Sequence, residues 1–391
     1  MSLSSWGGEG ENVWYMSRDE SSNGGGRNII VVGASAGGVQ VLQELMRGLP
    51  EDLAAAVFVV VHTSASSPGI LPHILDRAGP LTAAHARDRE KIKMGRVYVA
   101  PPDLHLMLKP GEMLVTRGPR ENGFRPAVDV LFRTAARVYG PRVVGVVLTG
   151  GLDDGTVGLI HIKNEGGLAV AQDPSEAVFP SMPRSAVENV NVDYVVPVAE
   201  MPALLTRLAT EPLPVGETMS RRGNGKPDIA EAGNAAFQQQ QAQGPPTAFT
   251  CPECGGALWE KKDGKVFRYQ CHVGHSYTSE SLVSEKNDQL ESVLWTALRA
   301  LEENAELRWR MARRAAKGPL TIQQMGHRYE QQAKDAQQRA AILREVLTNG
   351  KSVRKMARTA GAEKKASRAR SQSVKQPKNN GRSRRRTSLQ D

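Results

Sequence analysis

The chain has 391 residues, of which 40% are apolar, and this length exceeds what one hydrophobic core usually organises. Its formal net charge of +10 is concentrated at one end: 14 of the 51 Lys and Arg but only two of the 41 acidic residues lie in 351–391, so that segment carries +12 and the rest −2. The charge therefore excludes a basic nucleic-acid-binding domain, and the most apolar run, 54–61, is far too short to span a bilayer.

Composition divides the chain into six segments. The first, 1–27, is rich in Gly, Ser and acids without an apolar stretch, so we expect a disordered lead and no signal peptide. The others are predicted to be a catalytic domain (28–208), a linker (209–247), a zinc-ribbon-like module (248–277), a helical hairpin (278–349) and a disordered basic tail (350–391). Three cysteines fit a reducing cytoplasm better than a disulfide framework.

The segment 28–208 alternates apolar runs with helical patterns. Strands are predicted at 28–32, 56–61, 96–99, 113–116, 143–148, 168–172 and 194–197, and helices at 39–47, 127–139, 156–165 and 183–189. Runs such as 57–61 are apolar on both faces, which is typical of parallel strands buried between helix layers. We therefore predict an α/β fold with a doubly wound, mostly parallel sheet.

The first predicted strand runs into the sequence GASAG at 33–37, which matches the G-x-S-x-G nucleophile elbow with Ser35 at its centre. The small neighbours let the backbone approach a substrate, and the following helix leaves N–H groups free for an oxyanion. The rival interpretation is a dinucleotide-binding loop. That loop requires glycine at the position of Ser35 and an acid near the end of the second strand, where His62 stands, so a nucleotide-binding oxidoreductase is disfavoured.

A serine hydroxyl needs an adjacent base to act as a nucleophile at neutral pH. His62 ends the second predicted strand, and since the carboxyl ends of parallel strands face one crevice, its imidazole can reach Ser35. The other histidines of this segment are expected to be packed or surface residues: His73, His85, His105 and His161.

An acid that orients the imidazole should lie at a third strand end. The Gly-rich turn after 143–148 contains both Asp153 and Asp154, and the residues themselves do not choose between them; either could instead cap the next helix. The order Ser, His, Asp differs from the Ser, Asp, His order of α/β-hydrolases, which indicates a separate family with the same geometry.

Several segments together carry a closer identification. They are IVVGASAGG at 30–38, VVH at 60–62, YVAPPD at 98–103, RPAVDVLF at 125–132, LTG at 148–150 with DG at 154–155, and MPR at 182–184. In this order, over about 28–207, they resemble the chemotaxis receptor methylesterase family. The resemblance implies a cytoplasmic carboxylic ester hydrolase that removes γ-methyl groups from glutamates of methyl-accepting receptors, often with deamidation of glutamine as well.

The resemblance also implies roles for individual residues. Ser35 would be the nucleophile, His62 the general base and then acid, and Asp154 rather than Asp153 the orienting acid, with backbone N–H groups at Ala36 and Gly151 as oxyanion donors. The segment 1–27 is too short for the receiver domain that typical members carry. Gly151 stands where the family often has a larger side chain.

The spacing Cys251-x2-Cys254-x16-Cys271-His272-x2-His275 resembles a zinc ribbon. Adjacent residues rarely both bind one ion, so we expect His275 to be the fourth ligand, with His272 as the alternative. Four ligands leave no open position, which predicts a structural zinc and no cofactor for catalysis. The alternative is that the cysteines are free or redox-active.

The remaining expectations concern partners. Two helical patterns separated by Gly318 and Pro319 predict an antiparallel hairpin that mediates docking or self-association. The basic tail has no interleaved aromatic residues, so we assign it no specific nucleic-acid partner. We expect no membrane insertion, with any peripheral association through receptors. The competing function is a non-enzymatic signalling scaffold that uses the ribbon and helices to bind partners.

Overall fold

A computed structural model describes residues 26–213 and 244–348. The predicted disordered lead (except 26–27), most of the predicted linker and the predicted basic tail lie outside the described residues. The chain divides into two compact units, Met1–Glu285 and Lys286–Asp391.

A parallel sheet forms the centre of the first unit. The part of this unit at 26–213 contains nine strands: β1 (Ile29–Ala34), β2 (Ala56–Val61), β3 (Thr82–His85), β4 (Arg96–Val99), β5 (His105–Lys109), β6 (Glu112–Thr116), β7 (Val143–Val147), β8 (Leu168–Gln172) and β9 (Tyr194–Val196). Seven of these pair in the order β3-β4-β2-β1-β7-β8-β9, and all of these pairs are parallel. The remaining two, β5 and β6, form an antiparallel pair.

Helices cover both faces of the sheet. They are α1 (Gly38–Gly48), α2 (Leu71–Ala78), α3 (Val128–Tyr139), α4 (Thr156–Asn164), α5 (Ser181–Asn189) and α6 (Met201–Thr210). Apolar residues of α1, α2 and α6 pack on one face of the strands, and those of α3, α4 and α5 pack on the other. Every residue of β1, β2 and β7 is buried, because each side chain meets one of these two cores. The predicted doubly wound α/β fold is confirmed.

Two strands and two helices of this domain were missing from the sequence-based prediction: β3, β5, α2 and α6. The strand β3 is a short edge strand of sequence TAAH, in which Thr82 is the one β-branched residue, so it carries little of the composition that signals a strand. The strand β5 is joined to β6 through Pro110 and Gly111, a turn signal that the sequence did contain.

The predicted zinc-ribbon-like module, called the Cys/His module below, also belongs to the first unit. It follows residues 214–243, which lie outside the described residues. It contains β10 (Pro246–Thr250), β11 (Ala257–Asp263), β12 (Val266–Cys271) and β13 (Ser276–Thr278), which form an antiparallel sheet in that order. A small core of its own contains Cys251, Leu258, Cys271, Tyr277 and Leu282. The strands β11 and β12 form a β-hairpin with its turn at Gly264 and Lys265.

Two long helices follow, α7 (Ser279–Ala315) and α8 (Leu320–Thr348). Within the second unit they contact each other through small buried side chains, since a Cβ on Gly326 of α8 would lie 3.1 Å from Cβ of Ala315. Glu302 on α7 pairs with Arg344 near the end of α8, so the two helices run antiparallel as predicted. In the described part of the chain, every helix is too short or too polar to cross a membrane.

Candidate active site and candidate metal centre

The polar residues singled out by the sequence lie at the edge where the parallel strands end. Strand order reverses between β1 and β7, and α/β sheets bind ligands in the crevice beyond the strand ends at such a reversal. Ser35 directly follows β1, His62 directly follows β2, and Asp154 lies in the turn between β7 and α4. A bond from the Ser35 N–H to the Thr149 carbonyl, at 3.0 Å, ties the end of β1 to that of β7.

The three side chains form one hydrogen-bonded row. The Ser35 hydroxyl lies 3.2 Å from Nδ1 of His62, and Nε2 of His62 lies 2.7 Å from Oδ2 of Asp154. A carboxylate only accepts hydrogen bonds, so Nε2 carries the ring hydrogen and Nδ1 accepts the hydroxyl hydrogen. The connectivity is that of a nucleophile, a base and an acid, with the ring turned so that Nδ1 rather than Nε2 faces the serine.

Asp154 is completely buried, and N–H groups surround its carboxylate. Oδ2 accepts from His62 Nε2 and from the Val128 N–H, both at 2.7 Å. The donors to Oδ1 are Asn122 Nδ2 at 3.0 Å, the Asp129 N–H at 3.1 Å and the Gly155 N–H at 3.0 Å. Burial raises the pKa of Asp154, but the hydrogen bond and charge of His62 and the backbone donors outweigh it, so the pKa lies below its usual value. The geometry therefore keeps this acid ionised beside the imidazole.

A second buried carboxyl shares a hydrogen-bond donor with Asp154. Asn122 Nδ2 lies 3.0 Å from Oδ2 of Asp129 as well as from Oδ1 of Asp154. Burial and the adjacent Asp154 charge raise the pKa of Asp129 well above its usual value. The negative charge of the pair is therefore concentrated on Asp154, the member that contacts the imidazole.

A tight turn at 121–124 supports the site from a third side. Glu121 and Phe124 exchange backbone hydrogen bonds, at 3.2 and 2.9 Å, and Asn122 has a φ of 54°, a left-handed conformation that asparagine tolerates. The Phe124 ring stacks on the His62 ring with centroids 3.7 Å apart and planes at 6°. The turn thus contacts both the base and the acid. Sequence reasoning missed it, although the Asn-Gly pair at 122–123 is a recognised turn signal.

The elbow leaves backbone donors near the serine. The N–H groups of Ser35 and Gly150 are used in bonds to the carbonyls of Thr149 and Phe179. Among the described residues, the N–H groups of Ala36 and Gly151 have no such partner. These are the donors predicted for the oxyanion, and that assignment stays a prediction.

Two adjacent glycines after β7 have different surroundings. A Cβ on Gly150 would lie 2.0 Å from Sδ of Met182 and 2.8 Å from Cβ of Ser35, so a side chain there would displace the serine. A Cβ on Gly151 would have nothing within 4 Å. The open space at Gly151 agrees with the larger side chain that the resemblance implies for related proteins.

The Cys/His module brings four ligand atoms together. Those of Cys251, Cys254, Cys271 and His275 all lie within 4.8 Å of one another, and the Sγ atoms of Cys254 and Cys271 are 3.6 Å apart. Two sulfurs bound tetrahedrally to zinc at about 2.3 Å lie roughly 3.8 Å apart, so the arrangement fits a metal ion. His272 is exposed and outside this group.

The candidate metal centre also has the outer partner that such sites use. Nδ1 of His275 faces the sulfur of Cys271 at 3.5 Å. Its other ring nitrogen, Nε2, lies 3.0 Å from a carboxylate oxygen of Glu253. A carboxylate in that position fixes the tautomer in which Nδ1 is a ligand. Sequence reasoning named the four ligand candidates but not Glu253.

Asp153 takes a different role from its neighbour Asp154. Its Oδ1 accepts a hydrogen bond from the Thr278 hydroxyl at 2.7 Å, and burial raises its pKa from 3.8 to about 7. Between these two pH values the folded state holds a proton that the unfolded state has released, so the stability contributed by this group falls as pH rises through that interval.

We expect Asp153→Asn to stabilise the protein increasingly as pH rises, because the amide keeps the acceptor for Thr278 but cannot ionise. The gain in free energy of unfolding should be about 1.6 kcal/mol at pH 5 and reach up to about 4 kcal/mol at pH 8. Urea unfolding of both proteins at the two pH values measures it. An equal difference at both values would contradict the expectation.

Comparisons with known proteins match the part of the chain that contains Ser35, His62 and Asp154. The family model of CheB methylesterase matches residues 30–205. A relative from Leptospira interrogans, named a putative protein-glutamate methylesterase/protein-glutamine glutaminase, is 42% identical over 180 residues, which cover 46% of this chain and 93% of the relative. The chain belongs to the CheB methylesterase family. This confirms its identification from sequence as a carboxylic ester hydrolase of that family.

The share of the other protein's length that is matched varies among these proteins. A protein-glutamate methylesterase/protein-glutamine glutaminase from Pyrococcus horikoshii is 36% identical over 185 residues, 46% of this chain but 50% of the relative. The crystal structure of the Thermotoga maritima CheB methylesterase catalytic domain is 36% identical, covers 46% of this chain and 98% of that chain, and has a TM-score of 0.45. The CheB family match ends before the Cys/His module begins.

Proposed function

We propose that this chain hydrolyses γ-methyl esters of glutamate side chains on methyl-accepting receptor proteins, with Ser35 as nucleophile, His62 as base and then acid, and Asp154 as the orienting acid. The observation that carries the proposal is the row of hydrogen bonds from Ser35 through His62 to the buried, ionised Asp154. Membership in the CheB methylesterase family supports the ester as the substrate class.

The reaction follows from this geometry. Nδ1 of His62 takes the hydroxyl proton as Oγ of Ser35 attacks the ester carbonyl, and Asp154 stabilises the imidazolium through Nε2. The carbonyl oxygen becomes an oxyanion, which the N–H groups of Ala36 and Gly151 would stabilise. Nδ1 then returns the proton to the leaving methoxide, and methanol departs.

The acyl-enzyme is resolved by the same groups in reverse order. His62 takes a proton from water, the resulting hydroxide attacks the acyl carbonyl, and Ser35 leaves with the proton that the imidazole returns. The product is a free glutamate carboxylate. With a glutamine side chain in place of the ester, the same steps would release ammonia. The site would then also deamidate glutamine.

The surface beside Ser35 fits a protein substrate. Val178 and Phe179 are exposed by 70% and 45%, and a ring carbon of Phe179 lies 3.5 Å from the Cβ position of Gly37 in the elbow. Exposed apolar side chains next to a catalytic crevice suit contact with a helical receptor segment. We propose a cytoplasmic enzyme that reaches receptors from solution.

Labelling with a serine-directed phosphonate tests the proposal. We expect one phosphonyl group per chain, mapped to Ser35 by peptide mass spectrometry, together with methanol release from a methylated receptor preparation. The competing proposal is a non-enzymatic scaffold whose ribbon and helices bind partners. A folded protein that neither reacts at Ser35 nor releases methanol would establish the scaffold and refute the esterase.

We further propose that the Cys/His module at 248–277 binds one structural zinc through Cys251, Cys254, Cys271 and His275. The distances among these atoms and the carboxylate of Glu253 on His275 support it. The exposed apolar residues of the helical hairpin, such as Leu307 and Ile342, support self-association through that segment.

Metal analysis of variants distinguishes the two histidines. We expect one zinc per chain in the wild type and in His272→Ala, because His272 is outside the ligand group, but weak or no binding in His275→Ala. Elemental analysis after gel filtration measures the stoichiometry. Loss of zinc in His272→Ala with retention in His275→Ala would reverse the assignment.

A further inference from the structure

The Cys/His module contacts the turn at 121–124. This turn supports the hydrogen-bonded row of Ser35, His62 and Asp154, which we call the catalytic row. Ser276, the first residue of β13, accepts a hydrogen bond from the Asn122 N–H at 2.7 Å, and its own N–H donates to the Arg120 carbonyl at 3.3 Å. Ser276 is adjacent in sequence to the ligand candidate His275, whose carbonyl accepts from the Cys271 N–H at 3.0 Å. The candidate metal loop is therefore continuous with the strand that holds the turn.

Asn122 connects this strand to the catalytic acid. Its side chain is buried, with 4% of the residue exposed. Its Nδ2 donates to Asp154 and Asp129, and its Oδ1 accepts from the Thr278 N–H at 3.0 Å and the Ser281 hydroxyl at 3.1 Å. The amide thus uses two donors and two acceptor positions. Thr278 ends β13 and Ser281 lies in the first turn of α7, so one contact to Oδ1 comes from the last strand of the module and the other from the helix that directly follows it.

Two arginines, one from the catalytic domain and one from the module, contact Glu121 in the same turn. Glu121 is 5% exposed and receives a two-pronged contact from Arg133 of α3, at 2.8 and 2.9 Å. Arg268 of β12 approaches the same carboxylate at 3.5 Å and also donates to Ser276 Oγ at 2.8 Å. The turn is thereby attached to the catalytic domain on one side and to the module on the other.

We propose that metal binding by the Cys/His module positions the catalytic row, with Asn122 as the positioning residue that links them. This rests on the proposed esterase function. The module has only a small core of its own, and such metal modules fold with their ion. When the metal leaves, β13 no longer holds Thr278 and Ser276 against the turn, Asn122 loses its orientation, and both Asp154 and the ring stacked on His62 lose support.

The test measures the rate of phosphonate labelling of Ser35 and methanol release in the full chain. Four proteins are compared: zinc-loaded wild type, chelator-stripped wild type, Asn122→Ala and His272→Ala. We expect stripping and Asn122→Ala each to slow both rates about 10- to 100-fold, because a hydrogen bond to a buried charge is lost. His272→Ala should match the wild type, and zinc readdition should restore the stripped protein.

Further readouts separate positioning from general damage. The loss in Asn122→Ala should fall on kcat with KM unchanged, and its zinc content should equal that of the wild type. Ser281→Ala removes one donor to Asn122 and leaves the turn sequence intact, so a smaller loss of about 3- to 10-fold is expected. Removal of the metal should expose cleavage sites within 246–285, which limited proteolysis of the stripped protein would detect.

The outcomes discriminate between the two proposals. No labelling of Ser35 in the zinc-loaded wild type would refute the esterase itself. Normal labelling in the wild type that is unchanged by stripping would overturn the positioning role while leaving the esterase intact. A loss on stripping with full rates in both Asn122→Ala and Ser281→Ala would overturn the route through Asn122.

Discussion

Ser35→Ala is expected to lower the rate of methanol release from methylated receptor by about 10⁴-fold or more, since the nucleophile is removed and water must attack unaided. The change deletes one half-buried oxygen that contacts His62, so the fold should be retained. Initial rates of methanol formation measure the effect, and phosphonate labelling should disappear in the same variant.

A nearby serine gives the matched control. Ser64 is exposed in the loop that follows His62, and its hydroxyl contacts that of Ser66. Ser64→Ala should therefore keep the rate and the labelling of the wild type. Methanol release that persists in Ser35→Ala at the level of Ser64→Ala would show that another group performs the chemistry.

Asp154→Asn is expected to lower kcat by about 10⁴-fold. Its carboxylate accepts from donors on both oxygens, and an amide has only one accepting oxygen. If the amide NH2 faces His62, Nε2 must become the acceptor and Nδ1 must carry the hydrogen, so Nδ1 can no longer take the proton of Ser35. The expected signature is slow labelling of Ser35 in a folded protein.

Asp153→Asn is the matched control for this variant, because it makes the same chemical change one residue earlier. The Asp153 carboxyl contacts Thr278 rather than the imidazole, and its rate should stay within about threefold of the wild type. Urea unfolding of both variants separates rate effects from stability. A larger loss of rate in Asp153→Asn than in Asp154→Asn would show that Asp153, and not Asp154, is the orienting acid.

The position of the catalytic candidates was predictable because it depends on local signals. Apolar runs mark β1 and β2, and parallel strands bring Ser35 and His62 to one edge regardless of the details of packing. The choice of Asp154 over Asp153 was not available from composition, since it depends on which carboxyl points toward His62. It came from the resemblance, and the hydrogen bond at 2.7 Å agrees with it.

The supporting residues were not predictable for a different reason. Asn122 and Phe124 lie in a segment without periodicity, and their roles depend on contacts with residues far away in sequence. The orientation of the His62 ring likewise depends on Phe124 and Asp154 together. The contact of β13 with the turn could not be read from a spacing, because it joins two modules that each satisfy their own sequence pattern.

The sequence separation of these contacts bears on the order of folding. The bond from the Thr278 N–H to Asn122 spans 156 residues, and that from Ser281 spans 159, whereas Ser35 and His62 are 27 apart. Contacts of long sequence separation form late, and a chain emerging from the ribosome folds its earlier segments first. The nascent domain would thus carry its nucleophile and base well before the residues that hold Asn122 are synthesised, and full hydrolytic capacity would arise only when that last portion has been translated.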